Sequence, residues 1–155
     1  MNIRRFAESD AIPVSEMIAR TLRVSNSADY SAEYIEDLIL RQNPERIIDL
    51  ASSSHFYVIE SRDGIIGCGA IGRIPDKEDE SFFSTVFVSP ENQGKGIGRT
   101  LVGMLEKDEL FTRAKRIEVA ASITALGFYE KLGYVKKYGV TDPDEKGLYQ
   151  LEKIK

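Results

Sequence analysis

Apolar residues recur at helical spacing over the first third of the chain and at strand spacing after it. Val14, Met17, Ile18 and Leu22 fall three or four apart, as one face of an amphipathic helix does. Ser9-Asp10 stands ahead of them as an N-cap, Pro13 fits the first turn, and Ile3 to Phe6 reads as a short strand before the helix. Ser25-Asn26-Ser27 breaks the pattern. A second helix from Ser31 puts Tyr34, Ile35, Leu38 and Ile39 on one face, and Asn43-Pro44 opens a third through Ile47, Ile48 and Leu50.

From His55 the period changes. His55 to Glu60 is aromatic and β-branched, Arg62-Asp63-Gly64 reads as a hairpin turn, and Ile65 to Ile74 forms the return strand. Gly67, Gly69 and Gly72 thin that strand, so a helix or ligand can approach the sheet there, with a bulge as the alternative. Ser81 to Val88 is apolar on both faces, as a central strand is. A helix from Gly96 follows with Ile97, Leu101, Met104 and Leu105 as its stripe, then a strand at Arg116 to Ala120. Thr124 caps a last helix whose inner face is Ala125, Phe128 and Leu132, and Gly133 ends it. Tyr134 to Val140 and Leu148 to Ile154 pair as closing strands. The order predicts a mixed α/β fold in one domain, residues 1–155, without internal repeats.

Composition narrows the function classes. The chain has 155 residues, 42% hydrophobic and 30% charged, enough for one sizeable core. The 25 acidic against 21 basic residues leave a net charge of −4, which argues against nucleic acid or an anionic membrane surface as partner. A single cysteine, Cys68, forms no disulfide framework, and the opening Met1 to Phe6 leads into no apolar signal region. The expectation is a cytoplasmic protein.

Candidate chemistry concentrates in Val86 to Gly98, a buried strand that stops at Ser89-Pro90 and then enters a helix through Gln93-Gly94-Lys95-Gly96-Ile97-Gly98. Unpaired N–H groups and the helix dipole make such a start an anion site, and glycines let the anion approach the backbone. A tight turn with packing glycines is the competing reading. A phosphate loop of the form GxxxxGK[ST] would need glycine and lysine where Gln93 and Arg99 stand. A dinucleotide fingerprint, GxGxxG, fails at Arg99 in one frame and at Leu101 in the other. The pattern Q/R-x-x-G-x-G/A is met by Gln93, Gly96 and Gly98. A second stretch, Ala125 to Tyr134, carries A-x-x-F-Y followed by Gly133-Tyr134.

On these two motifs, in this order with a strand between them, the chain resembles the GNAT superfamily of N-acetyltransferases. The resemblance implies a central, mostly antiparallel twisted sheet flanked by helices and splayed between the fourth and fifth strands. It also implies acetyl-CoA as co-substrate, a small-molecule or peptide amine as acceptor, and no metal. In the family a bulge frees backbone groups for the pantetheine arm, which here maps onto Val86, Phe87 and Val88, with the Val88 amide as donor to the acyl carbonyl. The amides from Gln93 to Arg99, through Gly94, Lys95, Gly96, Ile97 and Gly98, would hold the pyrophosphate, with Lys95 and Arg99 adding positive charge or simply solvating the helix start. Phe128 would pack inward and Tyr129, about 100° around the helix, would face the cleft as general acid. Ser122 replaces an asparagine common in the family, which puts one polar contact in question. Glu80 is the candidate base, with a water relay as alternative.

Arg23, Asn26 and Tyr30 lie where the family places part of its acceptor site. The Asp142, Asp144 and Glu145 turn could draw a cationic amine, although such loops are usually only solvated. His55 and Cys68 have no partners in the sequence that would make a metal or nucleophile site. A noncatalytic acyl-CoA-binding or regulatory module is the rival function, and a homodimer through the closing strands stays open.

Overall fold

The structure, a computed structural model, describes residues 1–155. Strand β1 (Asn2–Arg5) leads through a tight turn at Glu8–Asp10 into α1 (Ala11–Ser25). Asp10 does not cap α1, as the sequence suggested. Its carboxylate accepts from the Ala7 amide at 2.8 Å and takes a two-point bond from the Arg4 guanidinium at 2.8 and 2.9 Å. That bond with Arg4 holds the Asp10 carboxyl below its ordinary range. Helices α2 (Ala32–Arg41) and α3 (Pro44–Ser53) begin where expected: Ser31 accepts from the Tyr34 amide at 3.1 Å and Asn43 from the Arg46 amide at 3.0 Å.

Strands β2 (His55–Ser61), β3 (Gly64–Arg73) and β4 (Glu80–Val88) form a meander, followed by α4 (Ile97–Leu105) and a short α5 (Glu109–Thr112). Strand β5 (Arg116–Ser122), α6 (Leu126–Lys131), β6 (Val135–Lys136) and β7 (Leu148–Ile154) complete the chain. The sheet has seven strands in the order β1-β2-β3-β4-β5-β7-β6, antiparallel throughout except for the parallel β4–β5 pair. Helices cover both faces. Val14, Ile18, Ile35 and Ile47 of α1 to α3 pack on Phe56, Val58, Cys68 and Ala70, while Val102, Leu105 and Leu110 of α4 and α5 pack on Ile71, Phe83 and Ile117. Alternation along each strand sends neighbours to opposite layers.

Two irregularities position the site. Ala70 pairs with Ser84 but Cys68 pairs with Phe87, so β4 carries one more residue than β3 over the same span. The extra residue bends β4, and Thr85 there adopts φ +55°, a left-handed conformation uncommon for a β-branched side chain. Pairing of β4 with β5 runs from Glu80↔Arg116 to Phe83↔Val119 and stops just before this bulge. Beyond it the two strands part. Gly69 lies opposite the bulge, where a Cβ would stand 3.3 Å from both Leu105 Cδ1 and Val86 Cγ2, so its lack of a side chain lets α4 seat against the sheet.

Three further details depart from the sequence reading. α5 was not expected; its cap is Asp108, which accepts from the Leu110 amide at 2.8 Å. β6 is two residues long because the chain turns away at Gly139, where φ is +78°. Thr124 does not cap α6 but donates to Asp29 at 2.6 Å, and Ser122 Oγ accepts the Ala125 amide at 3.1 Å instead.

Candidate active site

Between β4 and α4 the backbone turns at Gly94 and Gly96, both with positive φ (+76° and +82°), and no atom lies within 4 Å of where their Cβ atoms would be. The first backbone bond of α4 is Thr100 N–H to the Gly96 carbonyl at 3.0 Å. The amides of Gly94 through Arg99 therefore have no acceptor within the protein, and Gly94, Gly96, Gly98 and Arg99 line one groove. Such a run of free donors at a helix start attracts an anion.

The groove continues into the gap between β4 and β5, with a volume of about 740 Å³. Ser89 donates to the Ile66 carbonyl at 2.8 Å, which makes Ile66 and Ser89 a hydrogen-bonded pair. The next pair, Gly67 and Val88, is then a non-bonded one, and the Val88 N–H and C=O face away from β3 into the gap. The Val88 carbonyl accepts from Gln93 Nε2 at 2.9 Å, and the same amide group donates to Ser25 Oγ at 2.9 Å, tying α1 to the turn.

Opposite Val88, α6 presents Phe128 and Tyr129, and their burial reverses the sequence expectation. Tyr129 is only 4% exposed, wedged edge-on against Phe128 and Tyr134 at 5.1 and 5.9 Å between ring centres, whereas Phe128 is half-buried on the groove. The Tyr129 hydroxyl makes no hydrogen bond in the protein. Since no fully buried polar side-chain atom lacks a partner, that oxygen reaches the cavity surface. Burial pushes its phenol well above the usual value, so it keeps its proton.

A second cavity of about 270 Å³ lies beyond the gap, under α1 and α2, and shares Asn26, Val86, Phe87, Ser122, Ala125 and Tyr129 with the groove. Its own walls include Tyr30 and Tyr34, whose rings stack at 4.7 Å, with Leu38, Ser84, Thr85 and Leu148. The Tyr30 hydroxyl accepts from the Ile123 amide at 2.8 Å, and the Tyr34 hydroxyl donates to the Lys146 carbonyl.

Residues 52–136, more than half of the chain, match the acetyltransferase (GNAT) domain. The chain belongs to the GNAT acetyltransferase family. The PaiA N-acetyltransferase from Thermoplasma acidophilum, solved in complex with coenzyme A, superposes with a TM-score of 0.83 at 21% identity, covering 99% of this chain and 98% of that one. A GNAT-family acetyltransferase from Staphylococcus aureus Mu50 gives 0.73 at 16% identity, covering 99% and 98%. An aminoglycoside 6′-acetyltransferase type Ii gives 0.72 at 19%, covering 99% and 97%. At these identities the likeness is one of fold. No curated protein sequence matches the chain.

In this acetyltransferase the expected site residues divide. Val86, Phe87, Val88, Gln93, Gly94, Gly96, Gly98, Arg99, Ser122, Phe128 and Tyr129 line the groove, with Gly98 so close to Phe128 that a Cβ would stand 3.1 Å from its ring. Lys95 does not line it, and Ile97 turns into the core against Ile59, Ile66 and Leu101. Glu80 sits at the far end of β4, held by Arg116 at 2.6 Å, and lines neither cavity. Five to six strand residues, about 20 Å, separate it from Val86, so it is not the base for this site. Asn26 lines both cavities and Tyr30 the second, but Arg23 is engaged with Glu36 at 2.8 and 2.9 Å and lines neither. Asp144 is occupied by its own turn, accepting from the Lys146 and Leu148 amides and from Gln150.

Thr21 and Ser25 of α1 and Ser84 and Thr85 of β4 belong to these cavities without having been singled out as site residues. Thr21 carried a usable signal, being a polar residue on the apolar stripe beside Met17, Ile18 and Leu22. Elsewhere, His55 Nδ1 lies 2.8 Å from the Asp108 carboxylate, which Tyr57 also donates to at 2.6 Å, so His55 braces the α5 cap. Cys68 is fully buried, its thiol pushed up to about 12 by desolvation.

Proposed function

We propose that the acetyltransferase uses acetyl-CoA and passes the acetyl group directly to a primary amine. The single observation that carries this reading is the parting of β4 from β5 at the Thr85 bulge, which turns the Val88 amide into a gap bounded by the α4 turn on one side and Tyr129 on the other. When bound, acetyl-CoA supplies an activated thioester carbonyl. The chain's residues fit it: the free amides from Gly94 to Arg99 can take the pyrophosphate, and the open space at Gly94 and Gly96 lets its oxygens reach them. The β4 edge past Phe83, which β5 leaves unpaired, offers an extended pantetheine arm backbone hydrogen bonds, with the Val88 N–H kept for the acyl carbonyl.

At the reacting carbon, the Val88 N–H donates to the carbonyl oxygen as negative charge develops there, a type of contact worth about 10²–10³ in rate. Tyr129 holds its proton and donates it in a hydrogen bond to the departing sulfur. A phenol above its ordinary value of about 10 is a weaker acid than the thiol at about 8.5, so the role is charge stabilisation with proton sharing, and full transfer is coupled to loss of a proton by the amine. Neither cavity is lined by a carboxylate or histidine, so the amine enters neutral or loses its proton to water.

The test is thiol release from acetyl-CoA across a broad panel of primary amines. Amine-dependent release supports the reading. Silence across the panel together with measurable coenzyme A binding would point to the noncatalytic acyl-CoA-binding module.

A further inference from the structure

The second cavity carries a single charged side chain on its wall, Arg46 at the start of α3. The other cations nearby are spoken for, Arg23 by Glu36 and Arg41 by Asp37, whereas Arg46 makes no ion pair. Two carboxylates near the rim, Asp29 and Asp144, keep their charge but lie outside the lining, Asp29 accepting from Thr124 and Asp144 from its own turn. Within the cavity a polycationic amine would meet no carboxylate and one arginine, whose charge repels it. Most of the remaining wall is apolar or ring surface, from Leu22, Tyr30, Tyr34, Leu38, Phe83 and Leu148, with uncharged polar groups at Asn26, Gln42, Ser84, Thr85 and Ser122, and the tyrosine hydroxyls are spent on the loop before β7.

Proton balance points the same way. Attack requires a neutral amine, and no lining group can take its proton. A peptide α-amine, with a pKa near 7.7–8.0, is about 300-fold more available in neutral form at neutral pH than an alkylamine near 10.4.

We infer that the acceptor is the α-amine of a short peptide with an apolar first residue, its carboxylate directed at Arg46, and not a polyamine or an aminosugar. The inference rests on the acetyl-transfer reading above. In the reaction an N–C bond forms to the acetyl carbon, the C–S bond breaks, and the proton lost by the amine balances the one gained by the thiol. Hydrogen bonds to a charged group contribute enough for Arg46 to change kcat/KM about tenfold, chiefly through KM.

The experiment compares L-phenylalanyl-glycine, its C-terminal amide, spermidine and kanamycin in the thiol-release assay, with the intact enzyme and the Arg46→Ala variant. The two phenylalanyl compounds share an α-amine and differ in the carboxylate. The free acid is expected to exceed the amide by about tenfold in kcat/KM, and Arg46→Ala to shrink that ratio to below about threefold. Faster turnover of spermidine or kanamycin than of the dipeptide would overturn the inference and leave acetyl transfer standing, as would a ratio unmoved by Arg46→Ala. No release from any amine, with coenzyme A still binding, would overturn the reading beneath it.

Discussion

Tyr129→Phe removes one oxygen and tests the role given to it. The ring is 4% exposed and keeps its edge contacts with Phe128 and Tyr134, so packing is unchanged. The hydroxyl has no partner in the protein and reaches the cavity surface, so its loss leaves no orphaned donor or acceptor. Destabilisation after losing a hydrogen-bonding group comes mainly from the partner left behind, and here there is none, so stability should move by less than about 0.5 kcal/mol. For a chain of this size that is about 1–2 °C in Tm. The rate should move far more. Losing one donor to a developing negative charge costs about 10²–10³ in kcat, or roughly 2.7–4 kcal/mol. Thermal melts, calorimetric titration with acetyl-CoA and thiol-release kinetics on one preparation separate these effects. The expected result is an unchanged Tm, a Kd within about threefold, and kcat reduced at least about a hundredfold. A kcat within about threefold of the parent would refute the role of Tyr129, as would a large drop in Tm that explains the lost activity.

Other expectations concern the turn, the proton balance and the fold. Gly96→Ala places a side chain at φ +82° and in the open space facing the groove, so it should cost about 1–2 kcal/mol of stability and weaken coenzyme A binding at least tenfold, read by urea melts and calorimetry. Because burial raises the Tyr129 phenol, its proton stays on through alkaline pH; kcat/KM should rise as the amine deprotonates and then stay flat to pH 10, and a fall near pH 9 would contradict this. Asp10→Asn should cost about 1–3 kcal/mol at pH 7, since it weakens both the Arg4 fork and the bond from the Ala7 amide. The folded carboxyl titrates below its unfolded value of about 3.9, so its contribution is complete above that value and fades on acidification, and the gap between variant and parent in urea melts should close toward pH 3.

Much of the frame was legible along the chain because it rests on local rules. The Ser31 and Asn43 caps, the Gly133 helix stop and the change of period at His55 each act within a few residues. The Gln93-Gly96-Gly98 pattern likewise described a turn whose positive-φ glycines and free amides are local properties. What was hidden depends on pairing across the sheet. Glu80 could not be set aside until the parallel β4–β5 register brought Arg116 beside it. Tyr129 and Phe128 exchanged burial because α6 is short and its orientation is set by Tyr134 and the core under β5, not by its own periodicity. Arg46 carries no signal of its own along the chain, since its place at the second cavity follows from how α2 and α3 close over the gap.

The central claim is that the amides of the α4 turn and of Val88 are the binding surface for the acyl donor. Amide-resolved NMR of the labelled protein titrated with coenzyme A and then acetyl-CoA tests it most directly. The largest shifts are expected at Gly94, Gly96, Gly98 and Arg99 with coenzyme A, and a further shift at Val88 when the acetyl group is present. Saturable shifts confined to other parts of the chain, with the turn and Val88 unmoved, would contradict it.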